Sequence, residues 1–392
     1  MQQNKMHIEE IEELARQHGF RSAGSVSVSR LEEAGMEKMD ILPPDTLNIL
    51  VFLHPYPRTE SVRFDDIKDD SIEIDIAKFA RLQDYHDVLG RKLENIVAEL
   101  SRRSGANHSW CGIDSHPLPE KQIAVKAGIG FQGRNTLLIS PRYGSFAFLG
   151  VVATPLDISS HRPVTAAEKG TEYFCADCRL CQQSCPTSAL KDGPALDRDS
   201  CISALTQETG RMPWPVLAGM GNNFWGCDIC QDVCPYNQKD DSFQSDHISD
   251  WTEVDNLSVE EILRFDRNKL PHSFARYAFS WRGARILVRN MLIVLGNNKK
   301  PTHENLVKEI TRSRSSVLRY HAYYCLYRWY WSRDKERAVN FLRSQLESEE
   351  DNLNKTELKE HCRGEEEFSN VRDNNRRRRS QFSAGINTGG DV

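Results

Sequence analysis

Two cysteine runs constrain this chain more than any other feature. From Phe174 to Leu190 the sequence reads FCADCRLCQQSCPTSAL, with Cys175, Cys178 and Cys181 two residues apart, then Cys185 three residues on and Pro186 directly after. A second group, Cys201, Cys227, Cys230 and Cys234, closes the same way, with Pro235. The C-x2-C-x2-C-x3-C-P run is the bacterial ferredoxin signature, in which three thiolates hold one 4Fe–4S cube and the fourth crosses to the other. Reciprocal crossing predicts that Cys175, Cys178, Cys181 and Cys234 hold one cluster, and Cys185, Cys201, Cys227 and Cys230 the other. Structural zinc is the competing use of paired CxxC spacings; two runs each closed by Cys-Pro argue against it. The departure from ferredoxin is the insertion ISALTQETGRMPWPVLAGMGNNFWG between Cys201 and Cys227, where two residues would do. That insertion must serve something beyond holding iron. Cys111, Cys325 and Cys362 fit neither run and read as incidental thiols.

At 392 residues the chain has room for two or three domains with a substantial core. No apolar run approaches the ~20 residues that span a bilayer. The N-terminus, MQQNKMHIEEIEELARQHGF, carries acids and lacks both an apolar signal core and a twin arginine. The expectation is therefore a cytoplasmic protein, where thiols stay reduced and grouped cysteines point to metal rather than disulfides. A net charge of −5 weakens a polyanionic partner on average, but an average leaves room for a local basic face.

Periodicity divides the chain. Ile8, Ile11, Leu14 and Ala15 fall on one helical face that Gly19 can end. Leu47 to His54 reads as a buried strand, Ile72 to Ser101 as a long helix with Gly105 beyond it, and Asn135 to Ser140 and Phe146 to Thr154 as strands joined by the turn Pro141 to Gly144. These predict an α/β domain over residues 1–165. Cysteine and proline dominate a module over 166–245. Helical stretches at 284–295, 303–311, 315–330 and 335–346 predict an α-helical domain over 246–346, built from antiparallel pairs. The remainder, 347–392, with an acidic run and Arg376 to Arg379, reads as a disordered tail.

Clusters carry electrons but make no bonds, so a second cofactor or a partner is required. No convincing GxGxxG opens a helix and no GxxxxGK[ST] is present, which argues against a dinucleotide site or a P-loop; AGIGFQGRN at 127–135 reads as a tight turn. Asp84-Tyr85-His86 with Gly90 comes near the Asp-x-His-x-x-Gly pattern of a cobalt-ligating histidine. The glycine is one residue late, so His86 reads as a helix-face histidine.

Taken in order, DYH at 84–86, IDSHPLPEKQIAVKAGIGFQGRNTLLI at 113–139, PRYGSFAFLG at 141–150, CISALTQE at 201–208, GCDICQDVCP at 226–235 and CPYN at 234–237 resemble the epoxyqueuosine reductase family over about residues 5–340. The resemblance implies an α+β multidomain protein: a nitroreductase-like α/β cobalamin-binding domain, a bacterial ferredoxin-like two-cluster module and a HEAT-like helical domain. It implies reduction of epoxyqueuosine to queuosine at the tRNA wobble position, the last step of queuosine biosynthesis, by Co(I) cobalamin fed by two 4Fe–4S clusters. Asp114 matches the family's proton donor. On that role, burial among Trp110, Ile113 and Pro117 is expected to raise its pKa. Asp114, Ile139, Leu149, Ser203, Cys227 and Asp228 are expected to contact the cobalamin, with the insertion after Cys201 covering the corrin.

A basic, aromatic interval supplies an RNA face. Arg264, Arg267, Lys269, Arg276, Arg282, Arg285 and Arg289 stand against Asp266, interleaved with Phe274, Tyr277, Phe279 and Trp281. Guanidiniums bind phosphates and rings stack on splayed bases. The expected RNA contacts are Arg276, Arg282 and Arg285, with Arg134, Arg142 and Lys126 near the pocket mouth. The expected partners are an epoxyqueuosine-bearing anticodon stem-loop and an external electron donor, with no membrane, and the protein is expected to act as a monomer. A corrinoid iron–sulfur reductive dehalogenase is the rival enzyme, but such enzymes carry a twin-arginine signal and lack the helical domain. A ferredoxin-type electron carrier is the rival from another class, and it leaves residues 1–165 unexplained.

Overall fold

The computed structural model describes residues 5–36, 41–58, 62–69, 72–104, 110–159, 175, 177–238, 251–254, 256–265 and 270–362. Gly105, Asp266, Arg267, Lys269 and the chain after 362 lie outside the described residues.

The first domain is built on a four-stranded antiparallel sheet, in the order Ser22–Ser27, Asn48–Pro55, Ala147–Thr154, Trp110–Gly112. Alternation along the central strand decides the layers. Leu50 and Phe52 face the Ile8–Gln17 and Tyr85–Ser104 helices, while Ile49, Val51 and Leu53 face the Glu120–Lys126 helix. As periodicity predicts, Ile8, Ile11, Leu14 and Ala15 form the buried face of the first helix.

The long helix expected over 72–101 starts only at Tyr85. Ile72, Ile74 and Ile76 recur every second residue, a strand period rather than a helical one. Asp75–Ile76 accordingly pairs in parallel with Asn223–Trp225 of the cysteine insertion. Lys78–Arg81 is a single 3-10 turn, and bridges from Leu82 to Glu253 and from Gln83 to Tyr277 lead into the helical domain. This segment laces all three parts of the chain together just before the helix that carries His86.

The predicted helices of the last domain form as Ala284–Asn298, Glu304–Ile310, Ser316–Trp331 and Lys335–Ser348. Ser315 and Asp334 cap two of them by accepting the backbone N–H groups of Leu318 and Arg337. Ser316–Trp331 is apolar or aromatic nearly all round, and buried nearly all round, because helices pack on several sides of it. One correction concerns the tail. Residues 352–361 form a further helix, capped by Asp351, with Leu358 fully buried. Arg211 of the insertion pairs with Asp351, and the His361 ring stacks 3.9 Å from Trp214. Sequence composition alone hid these partners, which lie more than a hundred residues away. Among the described residues no helix is long and apolar enough to cross a membrane.

Candidate active site

Where the first domain meets the cysteine module, the CPYN segment docks on the PRYGS turn. The Ser145 N–H donates to Asn237 Oδ1 at 2.8 Å, and Asn237 Nδ2 donates to Ser145 Oγ at 2.9 Å. Gly144 permits this approach: its φ is +73°, and a Cβ there would collide with Asn237.

No disulfide joins any of the eleven cysteines. Eight gather around two spaces. Cys175, Cys178, Cys181 and Cys234 line a small void of about 20 Å³ with Arg134, Ile139 and Tyr236. Cys185, Cys201, Cys227 and Cys230 line one wall of a cavity of about 760 Å³. Burial, then the neighbouring thiols Cys175 and Cys178, pushes Cys181 up to about 11; burial also pushes Cys227 to about 12. Eight thiols packed so closely can ionise together only around cations. Among the described residues no three Cys, His, Asp or Glu side chains close on a single-ion point. The partition into fours matches the crossed pairing of the two Cys-Pro runs.

The other wall of the large cavity carries Asp84, Tyr85, His86 and Asp114. Asp84 begins the Tyr85–Ser104 helix by accepting the His86 N–H at 3.0 Å, and it also holds His86 Nδ1 at 2.8 Å. The far side of that ring, Nε2, lies 3.4 Å from Asp114 Oδ1, while the Tyr85 hydroxyl donates to Asp114 Oδ2. Tyr85 is clamped between His86 and Phe148, with ring centroids 4.3 Å from each. Asp114 sits on a left-handed backbone, φ +40°, its N–H donating to Glu120 Oε1 at 2.8 Å.

Two expectations change here. Burial pushes the Asp114 carboxyl up, but hydrogen bonds from His86 and Tyr85 outweigh it and leave the carboxyl below its usual range. Hydrogen bonds to Asp114 and Asp84 instead raise His86 to about 10. At neutral pH the pair is an imidazolium beside a carboxylate, with the mobile proton on His86. His86 is also no ordinary helix-face histidine. The misplaced helix start concealed it, although the DYH motif was visible.

Of the other expected cofactor contacts, Ser203, Cys227 and Asp228 line the large cavity. Ile139 lies instead on the small void, and Leu149 packs within the sheet opposite Leu53. Asp228 is buried and spends its carboxylate on the Lys78 N–H, 2.7 Å away. Gln207 and Lys121 also line the cavity; they lie within CISALTQE and IDSHPLPEKQ, but nothing in their residue types singled them out. Burial lowers the Lys121 ammonium.

The basic interval divides. Trp281, 60% exposed, stands on the cavity lip with the Arg282 guanidinium 4.0 Å over its ring. Arg264, Arg276 and Arg285 are exposed, as is Arg142, stacked over Tyr143. Phe274, Tyr277 and Phe279 are buried and serve the core rather than a base. Arg289 is fully buried and Arg134 half-buried, its Nε donating to the Cys175 carbonyl at 3.1 Å. Helical spacing puts Arg289 inward; composition alone could not reveal what it holds there.

Residues 38–115 match the family model described as "Epoxyqueuosine reductase QueG, DUF1730", and residues 174–237 match "4Fe-4S double cluster binding domain". Among curated proteins, the epoxyqueuosine reductase of Lactococcus garvieae is 35% identical over 55% of this chain and 59% of that protein. That of Listeria monocytogenes is 31% identical over 65% of this chain and 66% of that protein. The chain spans 59%, 62% and 54% of the lengths of the relatives from L. garvieae, Staphylococcus aureus and Bacillus subtilis. A crystal structure of epoxyqueuosine reductase with an epoxyqueuosine-modified tRNA-Tyr stem loop is similar in fold, with a TM-score of 0.76 at 24% identity over 91% of this chain and 98% of that one. The epoxyqueuosine reductase of Streptococcus thermophilus has a TM-score of 0.74, again at 24% identity over 91% of this chain and 98% of that one.

Proposed function

We propose, because this chain belongs to the epoxyqueuosine reductase family, that it reduces epoxyqueuosine to queuosine at the wobble position of tRNA. The observation that carries the reading is a single cavity with four cysteines on one wall and a proton-bearing His86–Asp114–Tyr85 group on the other. An electron source and an acid facing one space are what reductive opening of an epoxide needs.

Cys175, Cys178, Cys181 and Cys234 would hold one 4Fe–4S cluster, and Cys185, Cys201, Cys227 and Cys230 the other. The large cavity fits a cobalamin in chemical character. Tyr56, Phe79, Phe148, Leu190 and Trp225 offer flat apolar walls, and Ser203, Gln207, Asn135 and Gln231 offer polar groups for amide side arms. Ser203, Cys227 and Asp228 of the cysteine module would contact the ring, which a nitroreductase-like domain would hold from the other side, with HEAT-like helices following the module. His86 is committed to Asp84 and Asp114, so its ring nitrogens serve the proton rather than the metal. When bound, cobalamin and clusters supply the two electrons of the reaction, drawn from an external donor.

The chain's own residues manage the protons. Cleaving both C–O bonds of the epoxide consumes two electrons and two protons, leaving the cyclopentene and one water. His86 holds a proton at Nε2 toward Asp114, so Asp114 can take it up and pass it to the oxygen as negative charge develops there. The test is conversion of epoxyqueuosine to queuosine in tRNA by cobalamin-loaded protein, as a monomer with excess chemical reductant. Absence of conversion under these conditions would refute the reading, and brown protein that never takes up a corrin would favour an electron carrier.

The RNA face follows from the cavity lip. Arg282→Glu with Arg285→Glu should weaken binding of an anticodon stem-loop, and the slope of log K against log salt should become shallower by about one for each phosphate no longer neutralised. Trp281→Ala should cost about 1–3 kcal/mol of the same binding by removing a stacking surface. Cobalamin reduction should be unaffected. Unchanged stem-loop affinity in these variants would move the RNA site elsewhere.

A further inference from the structure

The insertion between Cys201 and Cys227 separates two thiols that a ferredoxin would keep two residues apart, and the helical domain closes the gap. Asn290, fully buried on the Ala284–Asn298 helix, spends its two amide N–H bonds on opposite ends of the insertion. One reaches the Thr206 carbonyl at 2.8 Å, the other the Phe224 carbonyl at 2.9 Å. Its own oxygen accepts from Arg289 Nε at 3.0 Å and Nη2 at 2.7 Å. Arg289, also fully buried, donates on to the carbonyls of Leu205 (2.9 Å), Thr206 (3.0 Å) and Glu208. The ends also touch directly, through the Gly226 N–H donating to Thr206 Oγ1 at 3.0 Å. One heptad along, Asn297 Nδ2 donates at 2.8 Å to the Leu217 and Gly221 carbonyls in the middle of the insertion. Gly226 completes the closure: its φ of +70° lets the chain turn past Ala77 into Cys227, and a Cβ there would come 2.6 Å from the Ala77 Cβ.

We infer that Arg289 and Asn290, with Thr206, are positioning residues that hold Cys201 and Cys227 at ligand distance, so that the helical domain sets the geometry of the cluster facing the large cavity. Both thiols follow or precede the clamped carbonyls by only a few residues, and a buried, fully paired amide and guanidinium leave the loop ends one arrangement. The other set, Cys175, Cys178, Cys181 and Cys234, has no such contact with that helix among the hydrogen bonds of the described residues. The inference rests on the two cysteine sets being cluster ligands.

The experiment measures iron, acid-labile sulfide and the electron paramagnetic resonance spectrum of the anaerobically prepared full chain. Wild type should carry about eight iron. Asn290→Leu keeps the volume and removes both donors; about half the iron should go, and the signal that disappears should be the one that Cys185→Ser also removes. The other cluster's signal and the far-ultraviolet circular dichroism should persist. Thr206→Val, a milder change that removes the tie between the ends, should disturb the same signal, and it decides the matter if the leucine variant is recovered unfolded. Two unchanged clusters in both variants, or equal loss of both clusters in folded protein, overturns the inference. Wild type carrying zinc and no sulfide instead overturns the cluster reading beneath it.

Discussion

Asp114→Asn should lower turnover of epoxyqueuosine-bearing tRNA by ~10²–10⁴-fold, the range general acid catalysis typically supplies. Asparagine tolerates the left-handed backbone at this position and keeps a hydrogen-bonding oxygen for Tyr85 and His86, so cobalamin and tRNA binding should survive. It has no proton to take up or give. Because the proton rests on His86, the wild-type rate should fall as pH rises through about 10, and His86→Gln should lose that limb along with most of the turnover. The same shift bears on stability. The folded-state pKa of His86 lies above its ordinary 6.5, so its stabilising contribution is complete below about pH 6.5 and disappears as pH rises through about 10. An asparagine variant with near-normal turnover, measured as queuosine formed with excess reductant, would mean that another group or water supplies the proton.

Cys185→Ser should abolish turnover and remove one particular cluster. Cys185 sits in the first run by sequence but lines the large cavity with Cys201, Cys227 and Cys230. Iron should fall from about eight to about four per chain, and the surviving spectrum should belong to the cluster of Cys175, Cys178, Cys181 and Cys234. Loss of that second cluster instead, with the cavity-facing one intact, would overturn the crossed assignment.

Much of the fold and site is legible in the sequence. The four helices from Ala284 to Ser348 follow from their helical patterns, two of them with the capping residues Ser315 and Asp334, and the central strand from its apolar run. The grouping of the cysteines into two sets of four is legible in the two Cys-Pro runs, read through the crossed ligation of the bacterial ferredoxin signature. What escapes are contacts made across long sequence separations. Ile72, Ile74 and Ile76 could join a helix pattern or a strand until Asn223–Trp225 arrives to pair with Asp75–Ile76. Arg289 has the composition of an RNA contact, yet its guanidinium is consumed by carbonyls and an amide. The charge state of Asp114 depends on a neighbour, His86, twenty-eight positions earlier. Each failure is one of partner, not of residue type.

The interleaving of the cysteine sets also dictates an order of events during synthesis. One set takes Cys175, Cys178 and Cys181 from the start of the module and Cys234 from its end; the other takes Cys185 early and Cys230 late. Neither is complete when the first run leaves the ribosome, so a nascent chain stalled before Cys227 offers loose thiols and no site. On the proposed ligation, iron delivery would wait for nearly the whole module, and the binding energy released then would fold both halves together. Scavenging of the early thiols by zinc or oxidant is thus the hazard this topology creates, and it falls in the interval before Cys234 appears.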